Sequence, residues 1–204
     1  MKSVNLLIKP ASSLCNLRCR YCFYEDEAQN RTQHSMGVMK EEIADLLIRQ
    51  VFEAVDANGM VSFAFQGGEP TVAGLPYFRN FTQTVRRYRP AGVSVHYAIQ
   101  TNGTLLNEEW AAFLKEEGFL VGLSLDGFRS VHDAHRVDAE GAATWKRVLA
   151  ARTLLEKHRV DFNALCVVTG PCAEKPEQVY KSIKNLGFRY IQFIACLDPI
   201  GHPR

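Results

Sequence analysis

The chain has 204 residues, 47% hydrophobic and 23% charged, with 24 Lys and Arg against 22 Asp and Glu. These fractions suit one well-buried globular domain and exclude an intrinsically disordered chain. A net charge of +2 gives no basis for nucleic-acid binding, and no apolar run approaches the roughly 18 residues of a membrane span. Leu6-Leu7-Ile8 stops at Lys9-Pro10, too short for a signal-peptide core, so a cytoplasmic protein without a membrane partner is expected.

Short runs rich in β-branched, Leu and aromatic residues predict strands at Val4–Lys9, Val61–Phe65, Val93–Gln100, Leu120–Ser124, Phe162–Val168 and Tyr190–Ile194. Helical patterns lie between them. Ile43, Leu46, Leu47, Val51, Ala54 and Val55 share one helix face. Asn107 before Glu108-Glu109 reads as an N-cap, with Gly118 as the matching stop. A third pattern runs from Ala143 to the cations Lys157-His158-Arg159, and a fourth from about Lys175 to Gly187. Strand and helix alternating six times imply parallel strands with helical crossovers. Six units suit a partial (β/α)6 barrel of the TIM type, since eight units need ~250 residues. A doubly wound open sheet is the alternative.

Polar and glycine-rich motifs sit at the C-terminal end of each expected strand, the active face of barrel-like α/β folds. The first strand leads into a cysteine loop and the second into Gln66-Gly67-Gly68-Glu69-Pro70. The third leads into Thr101-Asn102-Gly103, and the fourth ends at Ser124 before Leu125-Asp126-Gly127. Thr169-Gly170-Pro171 and Leu197-Asp198-Pro199 follow the last two.

Cysteine usage is the anomaly. Three of six cysteines, Cys15, Cys19 and Cys22, fall within eight residues, which in a chain with no export signal suggests a metal site rather than disulfides. Iron–sulfur clusters are normally held by four cysteines. Three would leave one iron of a four-iron cluster open to an exogenous ligand. The competing reading is a structural zinc completed by His34 or a distant Cys. The two glycines of the 66–70 motif would let backbone approach a ligand, and Glu69 could accept from a cation. Ser124 and Arg136 could bind a small zwitterion, Arg136 by a bidentate grip on its carboxylate. His132 and His135 read as solvated or structural residues of a polar loop. Cys166 and Cys196, in strand patterns, read as small buried hydrophobes, and Cys172 has no assignment.

Together these residues resemble the radical S-adenosylmethionine (SAM) superfamily. Its CxxxCxΦC loop, Φ aromatic, is matched by Cys15-Asn16-Leu17-Arg18-Cys19-Arg20-Tyr21-Cys22, and its GGE-type motif by Gly67-Gly68-Glu69. Further stretches are similar to anaerobic sulfatase-maturating enzymes. Among them are Leu7-Ile8-Lys9-Pro10-Ala11-Ser12-Ser13, Ser62 to Thr71, Gln100-Thr101-Asn102-Gly103-Thr104 and Val121-Gly122-Leu123-Ser124-Leu125-Asp126-Gly127, with Leu165-Cys166-Val167-Val168-Thr169 and Cys196-Leu197-Asp198-Pro199. The likeness runs from about residue 4 to 199, expected to be one core domain.

The resemblance implies that Cys15, Cys19 and Cys22 hold one [4Fe-4S] cluster whose open iron is chelated by SAM. Reductive cleavage of SAM would yield a 5′-deoxyadenosyl radical, which in sulfatase maturases oxidises a Cys or Ser of a sulfatase peptide to Cα-formylglycine. Tyr21, Gly67, Gly68, Glu69, Ser124, Arg136 and Leu197 would contact SAM, and Tyr24 and Gln100 would face the substrate. An electron donor such as a ferredoxin or flavodoxin, and an anaerobic cytoplasm, are implied as well. The family continues into a cysteine-rich domain that holds two further clusters and the catalytic base. The three remaining cysteines cannot build those clusters. The chain is therefore expected to be the N-terminal part of a longer protein, with 200–204 a truncated end and the final barrel helix lacking. Alternatives are a peptide maturase forming thioether or carbon–carbon links, and a non-catalytic iron–sulfur fragment.

Overall fold

The computed structural model describes residues 1–200; residues 201–204 of the expected end segment lie outside them. Six strands, β1 (Ser3–Ile8), β2 (Met60–Phe65), β3 (Ser94–Thr101), β4 (Phe119–Ser124), β5 (Asp161–Val168) and β6 (Ile191–Ala195), form one sheet in the order β1-β2-β3-β4-β5-β6. Every pairing is parallel. A doubly wound sheet would reverse its order partway. The strict sequence order, with β1 and β6 at opposite edges, is that of an open (β/α)6 half-barrel.

Strand bounds fall within one residue of those expected, because the β-branched and aromatic runs end where polar loop residues begin. Alternation then sorts each strand into two faces. Val61, Phe63 and Phe65 of β2 are fully buried toward the helices, while Gln66, Gln100, Ser124, Leu165 and Val167 line the concave side.

Eight helices complete the described fold: α1 (Phe23–Gln29), α2 (Glu41–Ala54), α3 (Leu75–Tyr88), α4 (Glu108–Glu116), α5 (Arg129–His135), α6 (Trp145–Lys157), α7 (Gly170–Ala173) and α8 (Pro176–Asn185). The Asn107 side chain caps α4, accepting from the Trp110 N–H at 3.0 Å. Lys157 and His158, at the end of α6, each pair with Glu108 at 2.5 Å. The core is aromatic. Phe65 meets Phe78 of α3 edge-on at 4.9 Å, and Phe63 meets Phe81 at 5.2 Å, pairs worth ~0.5–1.5 kcal/mol each beyond their buried area.

Several expectations need correction. Helix α3 lies outside the helical patterns expected, its aromatics Tyr77, Phe78 and Phe81 suiting a strand as well. The polar loop expected around His132 and His135 is α5, and His132 is completely buried, the structural one of the two expected readings. Cys166 is buried as expected, but Cys196 lies just past β6 and is exposed. Cys172 is buried in α7 with its Sγ 3.8 Å from that of Cys166. Among the described residues no helix follows β6, so Phe193 on its helix-facing side stays 48% exposed. Among them, too, no helix is long and apolar enough to cross a membrane.

Candidate functional site

The cysteine loop leaves β1 and is fastened on two sides. On one side the Gly68 N–H donates to Ser12 O at 3.0 Å and the Glu69 N–H to Leu14 O at 2.7 Å. That approach demands glycine: a Cβ on Gly68 would stand 2.2 Å from the Leu14 carbonyl oxygen, and Gly67 has φ +123°. The glycines expected to admit a ligand line the cavity and also admit the cysteine loop. On the other side Arg18 and Arg20 donate backbone bonds to Val137 O at 2.8 Å and His135 O at 3.0 Å, while Leu17 bridges Asp138. Cys22 then caps α1.

Burial pushes the Cys15 thiol up to about 12 and the Cys19 thiol to about 11, the latter opposed by the adjacent Arg136 guanidinium. Such thiols keep their protons until a cation displaces them. The zinc alternative is not built. His34 turns away to Glu25 at 3.8 Å, and among the described residues no three His, Cys, Asp or Glu close on a point that could hold a single ion. Three soft thiols on one loop fit an iron–sulfur cluster, whose usual protein ligands are cysteines.

Glu69 is almost wholly buried, and its carboxylate accepts four hydrogen bonds from within the chain. Oε1 accepts from Thr71 N–H at 3.0 Å, Thr71 Oγ1 at 2.6 Å and Thr101 Oγ1 at 2.7 Å; Oε2 accepts from Asn102 N–H at 2.7 Å. These bonds make it the builder of the turn, and it lines the cavity as well. Asn102 in turn donates to Asn16 Oδ1 at 2.9 Å and lies 3.9 Å from Cys15 Sγ.

Arg136 makes the bidentate grip expected of it, but on Asp126. Nε donates to Oδ2 at 2.8 Å and Nη2 to Oδ1 at 3.3 Å, with both residues buried. Tyr21 Oη also donates to Oδ2, and the Val167 N–H to Oδ1 at 2.9 Å. Burial alone would raise Asp126, yet the guanidinium and these donors hold it below the usual carboxylate range. His132 Nδ1 accepts the Asp126 N–H at 3.3 Å, so its proton sits on Nε2, toward Thr144 Oγ1 at 3.1 Å. Thr144 donates onward to Arg136 O at 2.7 Å. Burial first, and then the Arg136 charge, push His132 down to about 4.

One cavity of about 580 Å3, at the C-terminal ends of the strands, collects these pieces. Cys15, Cys19 and Cys22 line it, as do all seven residues expected at SAM and both expected at the substrate, Tyr24 and Gln100. Gln100 Nε2 donates to Ser124 Oγ at 2.9 Å, and the Lys9 ammonium stands 4.7 Å from the centre of the Tyr24 ring. Sequence reasoning gave no role to Asp126, Asn102, Gln66 or Gln192. Gln66 could have been found by parity, since it lies two positions beyond Ala64 on the concave side of β2, in register with Ala98 and Gln100 of β3.

The sequence profile of the Radical SAM superfamily matches residues 10–192. The chain is 45% identical over 204 residues to the cysteine-type anaerobic sulfatase-maturating enzyme of Clostridium novyi, covering all of this chain and 54% of that protein. It is 38% identical over 190 residues to the serine-type enzyme of Klebsiella aerogenes, covering 93% and 46%. The structure of native anSMEcpe with bound AdoMet superposes with a TM-score of 0.92 at 46% identity, covering 98% of this chain and 54% of that one. Streptococcus suis SuiB bound to S-adenosylmethionine shares the fold at 17% identity and a TM-score of 0.69. The chain thus spans about half the length of the curated relatives it matches. Half-barrel, cysteine loop and profile agree: the chain belongs to the radical SAM superfamily.

Proposed function

We propose that residues 4–199 form the SAM-cleaving core of an anaerobic sulfatase-maturating enzyme, acting on a Cys or Ser in a peptide segment of a sulfatase. The observation that carries this reading is the single cavity in which three cysteines, the SAM-facing set and two substrate-facing side chains meet.

Cys15, Cys19 and Cys22 would hold one [4Fe-4S] cluster, one protein ligand fewer than such a cluster normally takes. When bound, cluster and SAM supply one-electron reductive cleavage of the sulfonium and a hydrogen-abstracting 5′-deoxyadenosyl radical. The chain's own residues orient and enclose. Tyr21 and Leu197 flank the adenosyl group, and the backbone of Gly67 and Gly68 meets the methionyl amine, with Glu69 shaping that turn. Ser124 takes the ligand's polar end together with Arg136, whose Nη1 is the guanidinium nitrogen that Asp126 does not hold. Tyr24 and Gln100 position the peptide. The electron comes from a ferredoxin or flavodoxin, and an oxygen-labile cluster fits an anaerobic cytoplasm.

The test is anaerobic reconstitution with iron and sulfide, followed by reduction with SAM and a sulfatase-derived cysteine peptide. A four-iron EPR signal, 5′-deoxyadenosine and formylglycine on the peptide are expected. Absence of the EPR signal or of 5′-deoxyadenosine overturns the reading. A thioether or carbon–carbon crosslink in place of formylglycine reassigns the substrate, and cleavage with no peptide product under any substrate leaves only the core.

A further inference from the structure

We propose that Asp126 is a positioning residue that sets the charge beside the cluster, fixing the reduction potential through its grip on Arg136. This rests on the reading above that the three cysteines hold a cluster.

Asp126 is 1% exposed at the end of β4, where its two oxygens receive four donors from three other segments. One is Tyr21, inside the cysteine loop between Cys19 and Cys22. Two come from Arg136, in the segment whose backbone carbonyls hold Arg18 and Arg20. The fourth is the Val167 amide of β5. The carboxylate is therefore the point at which the cysteine loop, the segment after α5 and the sheet are joined.

Arg136 is 7% exposed, lines the same cavity as Cys19, and sits 5.4 Å from the centre of the Tyr21 ring. A guanidinium this buried, next to a cluster thiolate, would draw electron density strongly if it stood alone. Cluster potentials respond to net charge, hydrogen bonds to sulfur and solvent exposure. Asp126 neutralises the cation at 2.8 Å, so Cys19 sees a dipole in place of a full positive charge. The anion keeps the cluster a strong reductant, and the second bond of the grip points the remaining guanidinium nitrogen away from the carboxylate.

The experiment is an EPR-monitored redox titration of the reconstituted chain and three variants. Asp126→Asn removes the negative charge at nearly unchanged volume but also replaces one acceptor oxygen by a donor amide, so the potential, read on the cluster-loaded fraction, should move positive. Arg136→Gln should move it negative. The double variant should return toward the parent value, which a packing defect would not do. Asp126→Asn at the parent potential, or a double variant displaced at least as far as Asp126→Asn, overturns the proposal. Should Asp126→Asn fail to hold a cluster, Arg136→Gln decides: an unmoved or positive-shifted potential overturns it. A parent chain that assembles no four-iron cluster removes instead the reading on which the proposal rests.

Discussion

The carboxylate of Glu69 accepts the backbone N–H of Asn102 at 2.7 Å, tying the turn after β2 to the loop after β3 beneath Cys15. Replacing Glu69 with Ala would leave four buried donor contacts without their acceptor. Each unsatisfied group costs ~1–3 kcal/mol, so a loss of at least about 3 kcal/mol is expected. Urea unfolding should show it, with iron incorporation falling in parallel because Asn102 and Asn16 lose their register.

Gly68→Ala tests the close approach of the cysteine loop. The new Cβ would meet backbone, the Leu14 carbonyl oxygen at 2.2 Å, which cannot swing away as a side chain could. Iron content should drop severely together with Tm. Gly170→Ala, where a Cβ meets nothing within 4 Å, is the control and should leave both unchanged.

The six cysteines should divide into two sets. Cys15→Ala, Cys19→Ala and Cys22→Ala should each abolish the four-iron EPR signal. Cys166→Ala, Cys172→Ala and Cys196→Ala should keep the full iron content, although Cys196 lines the cavity wall. Cluster loss in the second set would show a ligand outside the loop.

The strands were legible in the sequence because their buried faces carry Val61, Phe63, Phe65, Val121 and Leu123, a pattern that loops do not sustain. Asn107 announced α4 through its own side chain. Helix α3 was not legible, since Tyr77, Phe78 and Phe81 suit a strand as well as a helix and only the packing of Phe78 and Phe81 on Phe65 and Phe63 decides. At the site, the cysteines and Gly67-Gly68-Glu69 were readable as motifs, but their internal partners were not. The roles of Glu69 and Arg136 depend on Asn102 and Asp126, supplied by other loops, and no local pattern records which carboxylate an arginine will meet in space.

His132 should make stability fall in mild acid. Its folded value of about 4 lies below the ordinary 6.5, so the unfolded chain takes up a proton first as pH drops. The contribution is complete above 6.5 and is lost progressively toward 4. At pH 5 the loss from this group is about 2 kcal/mol by linkage. His132→Gln should flatten the difference between urea midpoints at pH 7.5 and pH 5, and equal slopes in parent and variant would refute the assignment.

Gln100→Ala should separate cleavage from product. Losing the Gln100 bond to Ser124 and the amide facing the cavity should lower formylglycine yield at least about tenfold, equivalent to about 1.4 kcal/mol of peptide positioning. 5′-Deoxyadenosine should continue to form, raising its ratio to product. A proportional fall in both would place Gln100 at SAM rather than at the peptide.

The neighbour-to-neighbour order of the sheet has a consequence for biosynthesis. Each strand pairs with the one made just before it, so the sheet can grow by accretion while the chain is still leaving the ribosome. The thiol loop belongs to the first unit, yet its supports arrive in turn: Gly68 from the second, Asn102 from the third, and the carbonyls of His135 and Val137 only after the fourth. Its sulfurs thus emerge ahead of their supports, and they are fenced in only once Val137 has been made.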